Sequence, residues 1–275
     1  MEEKRTAWRF FKPWRFSTDE ANVRKAMLNV AGLAPAVVIT GGSRGIGLAL
    51  AQRFLEGGHR VVIVARNAVR LDEAARELGA ATGSEVVTVV CDVAEPNAFD
   101  VISADVKRAG LYLDVLVNNA GFGLAGPYVG HSDADLSRLL AINVEALTRL
   151  TRAALPDMLA RARGGVMNVA SLGACVPGPN QAAYYASKAY VVSLTEAIAS
   201  EVSGMGVRVS ALLPGPIDTA FHEEMGAGRS LYRYVLPPMS AKSVARSAYR
   251  GFLFGNRVIV PGLSNSFFFL ALKIL

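Results

Sequence analysis

The 275-residue sequence predicts one α/β domain built on a doubly wound parallel sheet. Three observations predict it. Short apolar, β-branched runs alternate with longer stretches of helix-forming residues, as in βαβ units whose strands are buried on both faces. The first such run opens directly into a glycine-rich turn and a helix start, which presents backbone N–H groups to a phosphate. Polar residues then recur at the carboxyl ends of successive runs, where a doubly wound sheet keeps its ligand crevice. With 52% hydrophobic residues the chain has ample material for a core, and α/β folds of nearly this size often form one domain.

Residues 1–34 read as an extension ahead of the domain proper, 35–275. The extension holds both tryptophans, Trp8 and Trp14, among Arg5, Arg9, Lys12 and Arg15. Aromatic residues interleaved with basic ones suit a membrane interface, and an arm packed on its own domain or on a neighbouring subunit fits the same composition.

Ala36–Thr40 (AVVIT) is the first buried strand, and it enters Gly41-Gly42-Ser43-Arg44-Gly45-Ile46-Gly47. Glycines there let the backbone approach a pyrophosphate, and the helix that follows offers its N-terminus. The spacing is Gly-x-x-x-Gly-x-Gly rather than Gly-x-Gly-x-x-Gly. The next strand, Val61–Ala65, ends in Arg66. An NAD site expects an acidic residue at that place, to hold the ribose 2′-hydroxyl. Arg66 and Arg44 suit a 2′-phosphate instead, so NADP(H) is the expected cofactor.

Two further strands follow. Val86–Val90 leads to Cys91-Asp92-Val93, and Asp114–Val117 leads to Asn118-Asn119-Ala120-Gly121. Asp92 can accept from an adenine amino group or cap a helix, and Asn118 can tie strand ends together. Asp133–Arg163 reads as a long helix broken late by Pro156. It carries Asn143, which taken alone says little.

Val166–Ala170 is the strand that leads into Ser171. Pro177, Gly178 and Pro179 then force a loop, and from Ala182 the residues suit a helix. Tyr184 and Lys188 are four apart and so share one helix face, which Ser171 would meet across the loop. A phenol with a pKa of about 10 must drop by roughly 3 units to act as acid or base near neutrality. An ammonium about 4 Å away, at an effective dielectric near 20, supplies about that much. The Ser hydroxyl can donate to a substrate oxygen while the phenol moves the proton. The trio suits reversible reduction of a carbonyl, which calls for a hydride carrier. Taken alone, Tyr-x-x-x-Lys reads more readily as an exposed helix pair than as a catalytic one.

Beyond Lys188 the helix continues. Val207–Leu213 is a strand ending at Pro214-Gly215, and residues 217–238 read as a substrate lid. Ser240–Phe254 reads as a helix and Val258–Val260 as the last strand. The tail 263–275 (LSNSFFFLALKIL) is apolar but too short to span a bilayer. It can seal a subunit interface, cover the substrate pocket or dip into a bilayer surface, with burial in the protein as the default expectation.

In order and spacing, Thr40-Gly-x-x-x-Gly-x-Gly47, Asn118-Asn-Ala-Gly121, Asn143, Ser171, Tyr184-x-x-x-Lys188, Pro214-Gly215 and Thr219 together resemble the short-chain dehydrogenase/reductase family, over about Ala36 to Gly262. The resemblance implies a Rossmann-type sheet of about seven parallel strands with helices on both faces. It implies Tyr184 as acid/base, Lys188 as its pKa modifier and ribose anchor, Ser171 as carbonyl polariser, and Asn143 as holder of a water linking Lys188 to solvent. It implies cofactor contacts from Gly41, Ser43, Arg44, Gly45, Ile46, Gly47, Arg66, Asp92, Val93, Asn119, Ala120, Gly121, Pro214, Gly215 and Ile217, with Thr219 at the nicotinamide carboxamide. It also implies a homodimer or homotetramer, in which the helix of Lys188 packs on the Asp133–Arg163 helix of a second subunit.

The net charge of +6 is compatible with a phosphate-rich cofactor or an anionic membrane surface. No nucleic-acid-binding signature accompanies it, so no nucleic-acid partner is expected. Cys91 and Cys175 lack metal-ligand spacing and suggest reduced thiols in a cytoplasmic protein; no metal is expected. The first residues are charged and aromatic, unlike a secretory signal. Taken together, the sequence predicts an NADPH-dependent enzyme interconverting a carbonyl and an alcohol. Phe122, Leu172, Val176, Phe221 and Met225 point to an apolar substrate. A catalytically weak nucleotide-binding regulatory or scaffold protein of the same fold is the alternative, and the intact Asn143, Ser171, Tyr184 and Lys188 set speaks against it.

Overall fold

The computed structural model describes residues 20–218 and 237–274. Trp8 and Trp14 with their basic neighbours, Thr219, and the lid residues Phe221 and Met225 lie outside the described residues. A short helix α1 (Glu20–Leu28) precedes β1 (Ala34–Thr40), α2 (Gly45–Glu56), β2 (Arg60–Ala65), α3 (Ala68–Thr82), β3 (Val86–Val90), α4 (Ala98–Arg108) and β4 (Leu111–Asn118). The second half holds α5 (Asp133–Leu140), a π-helical turn (Ala141–Ala146), α6 (Leu147–Ala160), β5 (Gly164–Val169), α7 (Ala182–Glu201), β6 (Val207–Leu212), α8 (Ala241–Leu253), β7 (Val258–Ile259) and α9 (Leu263–Ile274). The strands form one sheet of seven in the order β3-β2-β1-β4-β5-β6-β7, each pair parallel.

Both faces of this sheet are covered, as the uninterrupted Val/Ile runs require. Alternate residues of one strand serve different cores. Val37 and Ile39 pack with Leu50 and Phe54 of α2 and Phe252 of α8, whereas Ala36 and Val38 pack with Ile102 of α4 and Leu150 of α6. The chain winds outward from β1 to β3, then returns to the other side of β1 with β4. The order therefore reverses between β1 and β4, and ligands bind at the carboxyl ends of strands beside such a switch point.

Helix starts follow the sequence signals. Asn67 caps α3 by accepting from the Arg70 N–H at 2.9 Å, and Ser240 caps α8 by accepting from Ser243 at 3.2 Å. Gly83 ends α3 at φ +69°, which suits a residue without a Cβ.

The expected late break at Pro156 is absent. Pro156 lies inside α6, so the helix tolerates one missing backbone donor and runs on to Ala160. The irregularity comes earlier, in the π-helical turn that carries Asn143. Strand starts also differ. β1 begins at Ala34, inside the stretch read as extension, and its first residues pair with Leu111–Leu113 of β4, upstream of the expected start at Asp114. The tail does not disappear into the interior either. It folds as α9, half against the domain and half outward.

Candidate active site

The turn after β1 is shaped by contacts that only glycine allows. A Cβ on Gly47 would stand 2.2 Å from the Gly41 carbonyl oxygen and 2.5 Å from Asn119 Nδ2, whereas Gly45 has φ +57° and open space where its side chain would be. The loop is thus packed on its inner side and open on the other. No side chain caps α2, and its first turn holds no acidic residue, which leaves a positive helix end for an anion. Asn119 secures the loop. Its Nδ2 donates to the Thr40 and Gly41 carbonyls at 2.9 and 3.0 Å, while Thr40 Oγ1 accepts from the Asn119 and Ala120 N–H groups. Asn118 ties strand ends together, as expected. Its Nδ2 donates to Thr151 Oγ1 and Asn168 Oδ1 at 2.9 and 2.8 Å, and Asn168 passes a bond to Thr195 of α7.

At the ends of β2 and β3, Asp92 Oδ2 pairs with Arg138 at 3.1 Å and with Arg66 at 3.6 Å, and Asp92 Oδ1 accepts from the Ala94 N–H at 3.0 Å. Asp92 does not cap a helix, because α4 starts after Asn97. Arg44, Arg66, Arg70 and Arg138 all line the crevice here. Sequence reasoning missed Arg70 and Arg138. Arg70 follows Arg66 by four residues on the adjoining helix, a usable signal; Arg138 comes from α5, and no local spacing marks it.

At the ends of β5 and β6, Ser171, Tyr184 and Lys188 border the same crevice. Ser171 heads a short 3-10 turn and its Oγ accepts from the Gly173 N–H at 3.1 Å, which leaves the hydroxyl proton to donate. Tyr184 and Lys188 lie one turn apart on α7, both buried. Lys188 Nζ stands 5.8 Å from the Tyr184 ring centre and donates to the Val169 carbonyl at 2.9 Å. Burial pulls the Lys188 pKa down to about 8. Tyr185 packs edge-on against Tyr184 with 6.0 Å between ring centres, and burial pushes its phenol up. Asn143 exchanges bonds with the Phe122 backbone, Nδ2 to the carbonyl at 2.9 Å and Oδ1 from the N–H at 3.1 Å, and Nδ2 also donates to Ser187 Oγ at 3.2 Å. These bonds fix the Gly121–Phe122 turn beside Lys188. A Cβ on Gly121 would come within 3.0 Å of Asn143 Oδ1 and 3.5 Å of Lys188 Nζ.

One cavity of about 990 Å³ joins both ends. Besides the residues named, Val93, Ile46, Ser43, Pro214, Gly215 and Ile217 border it. Among the described residues, its Ser171 end is lined by Phe122, Leu172, Val176, Tyr185, Pro216 and Phe268, with Gln181 as a polar neighbour. Phe268 comes from the tail helix, one of the placements open to that segment. Backbone bonds from Asp218 N–H to the Met239 carbonyl at 3.0 Å and from Met239 N–H to the Pro216 carbonyl at 2.9 Å bring the chain on either side of residues 219–236 together. An open glycine loop at a positive helix end, arginines at one end and a hydroxyl, phenol and ammonium at the other fit a nicotinamide dinucleotide with a small substrate beside it. A volume near the top of the usual ligand-site range of roughly 300–1,000 Å³ agrees.

A family model described as short chain dehydrogenase matches residues 35–230. The 2-(R)-hydroxypropyl-CoM dehydrogenase of Xanthobacter autotrophicus is 36% identical over 192 residues, 66% of this chain and 74% of that protein. A short-chain dehydrogenase from Sphingobium yanoikuyae, solved in complex with NADPH, superposes with a TM-score of 0.77 at 32% identity, covering 87% of this chain and 92% of its own. The bulky-bulky ketone specific alcohol dehydrogenase from Comamonas testosteroni superposes with a TM-score of 0.74 at 28% identity, over 87% and 91% of the two chains.

Proposed function

The chain belongs to the short-chain dehydrogenase/reductase family, and from that premise we propose that it interconverts an apolar carbonyl compound and its alcohol, with NADP(H) as hydride carrier. The observation that carries this reading is the single cavity with Ser171, Tyr184 and Lys188 at one end and Arg44, Arg66 and Arg70 at the other. NADPH in the Sphingobium relative supports the choice of cofactor.

When bound, the dinucleotide supplies or accepts the hydride at the carbonyl carbon. The chain's own residues do the rest. Ser171 donates a hydrogen bond to the substrate oxygen, and the Tyr184 hydroxyl gives that oxygen its proton in the reductive direction. The Lys188 ammonium then faces the phenolate. At a separation of several Å and an effective dielectric near 20, that attraction is on the order of a few kcal/mol. Asn143 keeps the turn beside Lys188 in place, and the α2 N-terminus with its glycine loop would hold the pyrophosphate.

Among the described residues, the Ser171 end offers rings and aliphatic carbons, and the Lys188 ammonium faces Tyr184. A neutral, fairly bulky ketone or aldehyde fits that end better than a keto acid. The exposed face of α7 carries Ala182, Ala186, Ala189, Ser193 and Ala197 around an exposed Tyr190, a mix of small residues and one aromatic anchor that supports the homodimer or homotetramer reading.

The test is turnover. Purified protein with NADPH is offered ketones, aldehydes and ketoacyl thioesters, and oxidation of the nicotinamide is followed by absorbance. Turnover of apolar ketones supports the reading. NADPH binding without turnover of any of them favours a regulatory nucleotide-binding role instead.

A further inference from the structure

Large apolar side chains left in water are ordinary when scattered and informative when they gather. Leu263, Phe267 and Leu270 are 91%, 76% and 57% exposed. They recur at i, i+4 and i+7 of α9, so they share one face. The opposite side of the same helix is tied down. Asn265 is fully buried and its Nδ2 donates to the Pro261 carbonyl at 2.8 Å, Gly215 closes against its side chain, and Phe268 enters the crevice. The helix is therefore fixed in place with an apolar row turned outward.

A second row runs along α8. Lys242, Arg246 and Arg250 are exposed and recur at i, i+4 and i+8, and Phe254, 84% exposed, continues the row. A shallow groove lined by β7 runs between the two helices, with Arg250 and Phe254 on the α8 side and Ser266 and Phe269 on the α9 side. From Met225 to Leu275 the sequence contains no Asp or Glu. A cationic row on α8 and an apolar row on α9 thus belong to the two helices that flank this groove, with no carboxylate in either helix.

We propose that this α8/α9 face docks the protein on the surface of a bilayer rich in anionic lipids. Leu263, Phe267 and Leu270 enter the boundary between headgroups and acyl chains, while Lys242, Arg246 and Arg250 meet the headgroup phosphates. Charge complementarity selects this occupant. Pairing the face with a second copy of itself would bring like-charged rows together, which is unfavourable. Because Phe268 lies on the inward side of α9, docking places the apolar end of the crevice about one helix diameter, roughly 10 Å, from the lipid.

The test is flotation of the full chain with phosphatidylglycerol-rich vesicles and with pure phosphatidylcholine vesicles at low and high salt. Binding is expected to the anionic vesicles at low salt and to weaken as salt rises. Phe267→Ser/Leu270→Ser should lower the vesicle partition coefficient at least tenfold, and Lys242→Ser/Arg246→Ser about thirty-fold, taking roughly 1 kcal/mol per basic residue. Neither pair should move the melting temperature, since all four side chains face solvent. The proposal is overturned by a wild type that does not float with anionic vesicles at low salt. It is also overturned if both double variants float like the wild type while a chain lacking residues 1–19 does not, which assigns docking to the N-terminal stretch. A change of oligomer mass in Phe267→Ser/Leu270→Ser, with flotation unchanged, assigns the face to a second copy and overturns it as well.

Discussion

Lys188 Nζ lies 5.8 Å from the ring centre of Tyr184 while its hydrogen bond goes to the Val169 carbonyl at 2.9 Å. The ammonium is thus held by backbone beside the phenol, in a buried place that disfavours its charge. Its pKa falls from 10.5 to about 8. Below pH 8 the group is charged in both folded and unfolded chains, and folding bears a penalty of about 3 kcal/mol. Between pH 8 and 10.5 the folded chain has released a proton that the unfolded chain keeps, so this group's contribution to stability improves with rising pH. Lys188→Met should therefore be more stable than the wild type at pH 7, by up to about 3 kcal/mol less the lost hydrogen bond. That advantage should shrink toward pH 10, and turnover should be largely lost. Urea unfolding of both proteins without cofactor checks this. Parallel stability profiles across that pH range would show that the buried charge is not what separates them.

Tyr184 and Tyr185 both border the crevice, yet only Tyr184 shares the helix face of Lys188. Tyr184→Phe should lower kcat roughly a thousandfold, in line with loss of a general acid, and leave NADPH affinity nearly unchanged. Tyr185→Phe should leave kcat close to the wild-type value, because it keeps the ring at the substrate end and removes no group that faces Lys188. Steady-state kinetics and cofactor titration on both variants separate the roles. A dead Tyr185→Phe beside an active Tyr184→Phe would reverse the assignment.

The two loop glycines should fail for different reasons. Ala at position 47 puts a Cβ 2.2 Å from a backbone carbonyl, so the loop must move. Gly47→Ala should lose about 1–3 kcal/mol of stability and most of its dinucleotide affinity. Gly45→Ala meets no atom but keeps φ +57°, a backbone strain of about 1–2 kcal/mol. Gly45→Asn should recover part of that loss, since Asn tolerates this region better. Thermal melts and fluorescence titrations with NADPH read both effects. Equal damage from Ala at both positions would refute the distinction.

Much of this site was legible because its signals are local. The glycine loop, the Tyr184/Lys188 offset and the polar residues at strand ends are all set by spacing along one element. The β-branched runs were equally legible, because strands covered on both faces need apolar residues at every position. What escaped depends on tertiary placement. Arg138 reaches Asp92 from a helix that begins 41 residues later in the chain. Phe268 enters the crevice because Asn265 and Gly215 pin its helix. The Pro156 reading failed because proline removes only one ladder bond, and the rest of α6 is well packed through Leu150, Ala154 and Met158. The apolar tail was read as buried by default. Periodicity identifies a helix face but not what covers it, and α9 turns Leu263 and Phe267 outward.

Cofactor choice depends on how Arg66 is engaged. Its guanidinium is more than half exposed and sits 3.6 Å from Asp92 Oδ2, a solvent-screened pair worth at most about 1 kcal/mol. Asp92 keeps Arg138 at 3.1 Å as a second partner, so Arg66 can turn to a phosphate without leaving the carboxylate unpaired. A charge-assisted contact to an ionised group contributes roughly 1.5–3 kcal/mol. Two such contacts, from Arg44 and Arg66, should favour NADPH over NADH by at least about 100-fold in kcat/KM, allowing for incomplete additivity. Arg66→Asp should reverse much of that preference, because it repels the phosphate, offers the bare ribose hydroxyl an acceptor, and leaves Asp92 to Arg138 alone. The wild-type preference should also narrow as salt is added, since the pair is open to solvent. Kinetics with both cofactors on the two proteins decide the matter. Equal use of NADH and NADPH by the wild type would mean that neither arginine reads the 2′-phosphate.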